Sequence, residues 1–207
     1  MSATPWYAGR IIARGDSPAS VANIANIITV VRILLAPLFL ILLLTDGGQD
    51  GALRWIAAAL FVFTILTDSL DGYLARGRNL VTDVGKLLDP IADKALTGLA
   101  LIGLSILGEL WWWVTVLILV REIAVTVFRF IVVATVVIPA SRGGKIKTWA
   151  QSVAISLLLF PIGHVVPAIA TPYLVVSYVV MGIAFVLTIV TGADYFIQAY
   201  RRNRPAR

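Results

Sequence analysis

Apolar runs near the length of a bilayer crossing alternate along this chain with short polar breaks. The runs cover 27–45, 52–75, 90–108, 111–138, 147–168 and 173–198. The breaks carry turn chemistry: Asp46 to Asp50 with Gly47 and Gly48, Arg76 to Asn79, Gly108-Glu109, Pro139 to Gly144, and Thr171-Pro172. This pattern predicts an all-α polytopic protein of six transmembrane helices. Pro37 and Pro161 lie inside apolar runs and are expected to kink them.

The first run is longer than the roughly 7–15 apolar residues of a secretory signal, so it reads as an uncleaved crossing. Ahead of it, residues 17–26 are expected to form a short helix along the membrane surface. The organisation expected is an N-terminal segment 1–26, a membrane domain 27–198 and a basic tail 199–207.

Composition agrees. The 207 residues are 59% hydrophobic and 14% charged, where soluble domains run about 45–50% apolar and about 25% charged. Cysteine is absent, which removes disulfide and thiol chemistry. The net charge of +6 sits at helix ends, so lipid headgroups rather than nucleic acid are the expected partner.

Charge also orients the chain. Arg10, Arg14, Arg76, Arg78, Lys86, Arg142, Lys145, Lys147, Arg201, Arg202, Arg204 and Arg207 fall on one side of the six runs. Arg54, Asp46, Asp50, Glu109 and His164 fall on the other. The positive-inside rule then makes both termini and the 76–89 loop cytoplasmic. Trp111, Trp112 and Trp113 open the fourth run on the outer side, as an interfacial anchor would. With no organelle-targeting segment, a bacterial inner membrane is the expected location.

Against this background four aspartates stand out: Asp68 and Asp71 on the second run, Asp89 and Asp93 at the start of the third. Each carboxylate in a membrane helix costs about 2.5–3.5 kcal/mol at the centre of the span. Asp68 and Asp71 are three apart, and Asp89 and Asp93 four apart, so each pair shares a helix face. Hard oxygen donors suit Mg²⁺, Mn²⁺ or Ca²⁺, and zinc is disfavoured without cysteine and with one remote histidine. Gly72, Ala75 and Gly85 lie beside the pairs, either for helix packing or for close approach of a ligand. Arg76 either meets a phosphate or marks the membrane edge.

Asp68-x-x-Asp71-Gly72-x-x-Ala75-Arg76, then eight intervening residues, then Gly85-x-x-x-Asp89-x-x-x-Asp93, resembles the full signature of the CDP-alcohol phosphotransferase family. The resemblance implies that Asp68, Asp71, Asp89 and Asp93 hold a two-metal centre of Mg²⁺ or Mn²⁺. It also implies that Asp93 is the general base, and that Gly72, Ala75, Arg76 and Gly85 lie against the CDP-lipid. The acceptor oxygen would attack the β-phosphorus and CMP would leave. A homodimer is likewise expected on the resemblance alone.

Outside the signature, Asn26-x-x-Thr29-x-x-Arg32, Arg121-Glu122 with Arg129, and Lys145 to Gln151 resemble the family branch that joins CDP-diacylglycerol to glycerol 3-phosphate. Asn26 and Thr29 are then expected on the donor, and Arg121, Lys145, Lys147 and Arg32 on the acceptor's phosphate. Simpler readings stand beside these: Asn26, Thr29 and Arg32 as polar glue between helices, Lys145 and Lys147 as positive-inside charges. Arg121 and Glu122 are adjacent, about 100° apart on a helix, and so are expected to be poor partners for each other. Asp83 and Lys86 are expected in a loop, and Lys94 beside a neighbouring carboxylate. Cardiolipin synthesis and inositol-phosphate transfer remain open within the family. An ion-coupled transporter is the reading from another class, and the confinement of the carboxylates to residues 68–93 weighs against it.

Overall fold

The computed structural model describes residues 23–77, 82–133 and 142–202, and these are helical with no strand among them. Three stretches of the described residues are long and apolar enough to cross a membrane: Asn26–Asp46, Ile146–Val165 and Pro167–Tyr195. The chain divides into two compact units after Ala100, a boundary that falls inside the third helix.

In the first unit, α1 runs Ile24–Asp46. Asn23 caps it, its side chain accepting from the Asn26 N–H at 3.0 Å. Asn23 as cap takes 24–26 into the first turn of α1, so the helix starts before residue 27. Residues 17–22 of the expected surface helix lie outside the described residues. Pro37 sits within α1, and Gly47 closes the helix with φ of 63°.

Asp46 organises the turn that follows. Its Oδ1 accepts from the N–H groups of Gly51 at 3.0 Å and Arg54 at 3.3 Å, and its Oδ2 from Asp50 at 3.0 Å. The turn thereby satisfies the backbone donors that open α2, Ala52–Gly77. Buried Ala36, Ala57 and Ala58 let α1 and α2 approach closely, and Phe39 packs on Phe61 with ring centres 5.6 Å apart.

Helix α3 spans Asp83–Ile106, so the third helix begins well before residue 90. Asp83 and Lys86 therefore belong to its first turns and not to a loop. Thr82, just ahead of it, accepts from the Gly85 N–H at 3.1 Å, a cap that starts the helix there. Pro90 becomes an interior residue of α3.

The second unit holds the end of α3, then α4 (Trp112–Val133), α5 (Arg142–Leu159), α6 (Ile162–Val165), a 3-10 turn at Pro167–Ile169, and α7 (Ala170–Arg202). Helices α4 and α5 pack on α7. Pro161 does not kink a continuous helix: α5 ends at Leu159 and Pro161 precedes α6. Proline cannot donate to the carbonyl four residues back, and Pro167 repeats the break. Thr171 and Pro172, read from sequence as a break, lie in the first turn of α7, where a missing N–H costs nothing.

Trp111, Trp112 and Trp113 are each more than half exposed, as a lipid-facing anchor requires. Trp111 and Trp113 also pack on Tyr178 and Phe185 of α7. The Tyr178 hydroxyl donates to the Glu109 carbonyl at 2.9 Å, tying α7 to the turn before α4.

Candidate active site

Helices α2 and α3 carry the aspartates. The charges of Asp89 and Asp93 act directly on Asp68, so three of the four signature carboxylates share one electrostatic neighbourhood. Among the described residues no three carboxylates or histidines are gathered tightly enough to enclose a metal ion. Asp71, Gly72, Ala75 and Arg76 lie on α2 with side chains outside the described residues, so the donor set is described only in part.

Each described aspartate has a donor of the protein beside it. Arg32 of α1 forms an ion pair with Asp68, the guanidinium buried and the carboxylate 44% exposed. Thr29, one turn earlier, donates its hydroxyl to Asp89 Oδ1 at 3.0 Å. Lys94 pairs with Asp93 Oδ2 at 3.1 Å, as its position suggested. The spacing of Asn26, Thr29 and Arg32 lays them along one stripe of α1, and all three are buried. The stripe is in fact glue between helices, and the surfaces it joins are those bearing the aspartates. Arg32, expected on the acceptor's phosphate, has Asp68 as its ion-pair partner.

The third member of the stripe meets the start of α3. Asn26 Nδ2 donates to Thr82 Oγ1 at 2.8 Å, and the hydroxyl lies 3.2 Å from Asn26 Oδ1. One hydroxyl thus links α1 to the cap of α3. Gly85 is buried against the same amide: a β-carbon there would lie 2.6 Å from Asn26 Oδ1. Gly85, expected to leave room for the nucleotide, leaves room for Asn26 in this structure. Sequence reasoning passed over Thr82, although a threonine three residues before Gly85 at a helix start is a capping signal.

The second unit holds a separate ionic cluster. Arg121 Nη1 donates to Glu122 Oε1 at 2.7 Å and Nη2 to Thr191 Oγ1 at 2.7 Å. Lys147 Nζ donates to the same Glu122 oxygen at 2.5 Å. Arg121 and Glu122 are therefore partners, against expectation. The arginine is long enough to fold back across the 100° between them, and a carboxylate buried to 6% exposure needs its cations close. Lys147 is buried too, at 4% exposure, which is unlike a loop cation facing headgroups. Lys145 and Arg129 have side chains outside the described residues.

A chain with paired carboxylates on two joined helices, and two cations on a third and fourth, has the groups that phosphoryl-group displacement uses: acid oxygens, a proton acceptor and phosphate-binding cations. The comparisons agree. The family model of CDP-alcohol phosphatidyltransferase matches residues 22–190, and the chain belongs to that family. It is thus a phosphatidyltransferase.

Among its relatives is a probable phosphatidylglycerophosphate synthase of Mycobacterium tuberculosis, 49% identical over 183 residues, covering 88% of this chain and 84% of that one. A CDP-diacylglycerol–glycerol-3-phosphate 3-phosphatidyltransferase of Bacillus subtilis is 39% identical over 186 residues, covering 84% of this chain and 93% of that one. One of the same name from Rickettsia felis is 39% identical over 176 residues, with 84% and 93% covered.

Proposed function

We propose that this protein transfers the phosphatidyl group of CDP-diacylglycerol to sn-glycerol 3-phosphate, giving phosphatidylglycerophosphate and CMP. The observation that carries the reading is 49% identity, over 88% of the chain, to a relative named for that product. Part-buried Arg121 and buried Lys147 carry one more positive charge than Glu122 offsets, which is a physical reason for a phosphorylated acceptor.

In this reading Asp68, Asp71, Asp89 and Asp93 hold divalent cations, Mg²⁺ or Mn²⁺, whose oxygen preference fits an all-carboxylate donor set. Bound there, such ions would supply positive charge against the donor's diphosphate. Asp93 takes the proton of the acceptor hydroxyl. The acceptor oxygen bonds to the β-phosphorus, and the bond from that phosphorus to the CMP oxygen breaks. Asn26 and Thr29, with Gly72, Ala75, Arg76 and Gly85, border the donor. Arg121, Lys145 and Lys147 bind the acceptor's phosphate, a role the sequence also gives Arg32, which is paired with Asp68 in this structure. The helices form six crossings with both termini and the aspartates on the cytoplasmic side of a bacterial inner membrane, in a homodimer.

The test supplies CDP-diacylglycerol with glycerol 3-phosphate, phosphatidylglycerol or inositol phosphate and measures CMP release. Turnover is expected with glycerol 3-phosphate. Turnover only with another acceptor overturns the assignment.

A further inference from the structure

The Glu122 cluster contains more than phosphate-binding cations. Three helices contribute to it: Arg121 and Glu122 from α4, Lys147 from α5, and Thr191 from α7. Arg121 Nη1 and Lys147 Nζ contact the same carboxylate oxygen, so two like charges are held as neighbours by one anion. Buried cations left so close without it would repel each other and separate. The three charged residues together retain one positive charge, and Arg121 Nε is a buried donor with no hydrogen-bond partner among the described residues.

Space is provided as well as charge. The Arg121 side chain lies across buried Gly192 of α7, where a β-carbon would stand 2.8 Å from Nε and 3.0 Å from Cγ. An alanine at 192 would push the arginine aside without altering a charge.

We infer that Glu122 is a positioning residue for the acceptor's anion site, binding Arg121 and Lys147 into one dicationic unit, and that Gly192 is the clearance this unit requires. The inference rests on the acceptor reading above. It gives Glu122 no contact with the reacting atoms. Its effect is on how tightly a phosphorylated acceptor binds.

The full-length enzyme is assayed in detergent for CMP release, with glycerol 3-phosphate and CDP-diacylglycerol varied in turn. Glu122→Gln keeps the shape and removes the charge, and should raise KM for glycerol 3-phosphate about tenfold or more, the range of a lost charge-assisted hydrogen bond. KM for CDP-diacylglycerol should stay within about twofold, since that substrate does not depend on the cluster in this reading. Glu122→Asp, which keeps the anion, should recover part of the loss. Gly192→Ala should raise the same KM with every charge intact, and decides the matter if the Glu122→Gln protein does not accumulate. A fall in kcat alone, or an equal rise in both KM values, overturns the positioning role. An unaltered enzyme inactive on glycerol 3-phosphate but active on another acceptor overturns the acceptor reading instead.

Discussion

Gly85 lies so close to Asn26 that a β-carbon on the glycine would come within 2.6 Å of the asparagine's side-chain oxygen. The approach is possible because Asn26 is also held by Thr82, which caps α3 through the Gly85 N–H. A signature glycine here serves a contact between α1 and α3, four residues ahead of Asp89.

Gly85→Ala is therefore expected to lower turnover about tenfold or more, since backbone or amide must shift and a buried hydrogen bond is lost. Residues in contact do not act independently. Removing the amide with Asn26→Ala should make the added methyl nearly harmless, so the double variant should be little worse than Asn26→Ala alone. CMP release from the four proteins checks this. Additive losses would place Gly85's role elsewhere, against the ligand.

Asp93→Asn is expected to abolish turnover while leaving CDP-diacylglycerol binding largely intact, because an amide cannot take the acceptor's proton. Asp68→Asn should weaken metal binding, seen as a higher Mg²⁺ or Mn²⁺ concentration for half-maximal activity. Full activity of the Asp93 variant would remove that residue as the base.

Asp46→Ala tests stability apart from catalysis. The substitution removes an acceptor shared by three backbone N–H groups around the start of α2, of which Arg54 keeps the Gly51 carbonyl, and should cost about 2 kcal/mol, at the upper end of a helix cap. A lower melting temperature with both KM values unchanged is the expected result. An altered KM with unchanged stability would contradict it.

Much of the helical pattern was legible in the sequence, because hydrophobic run length is a direct reading of what a bilayer interior tolerates. The boundaries were less so, for reasons that attach to particular residues. Pro90 resembles a helix start and is an interior residue, since the Thr82 cap begins the helix earlier. Pro161 resembles a kink and is a true break.

The pairing of the aspartates was legible because their spacing fixes helix faces, and the α1 stripe reaches one of each pair, Arg32 meeting Asp68 and Thr29 meeting Asp89. The Arg121–Glu122 pairing was not. Angular spacing governs where Cβ atoms point, whereas a guanidinium several bonds away goes where the nearest buried carboxylate draws it. The same limit applied to Arg32, whose partner Asp68 lies on another helix and leaves no trace in local spacing.

The Thr82 hydroxyl pins the downstream end of the link between α2 and α3. A single residue added between Thr82 and Asp89 would rotate everything beyond it by about 100°, taking Asp89 off the Thr29 hydroxyl and carrying Asp93 round with it. The number of residues from this threonine to Asp89 is thus fixed by the contacts each makes with α1, Thr82 with Asn26 and Asp89 with Thr29.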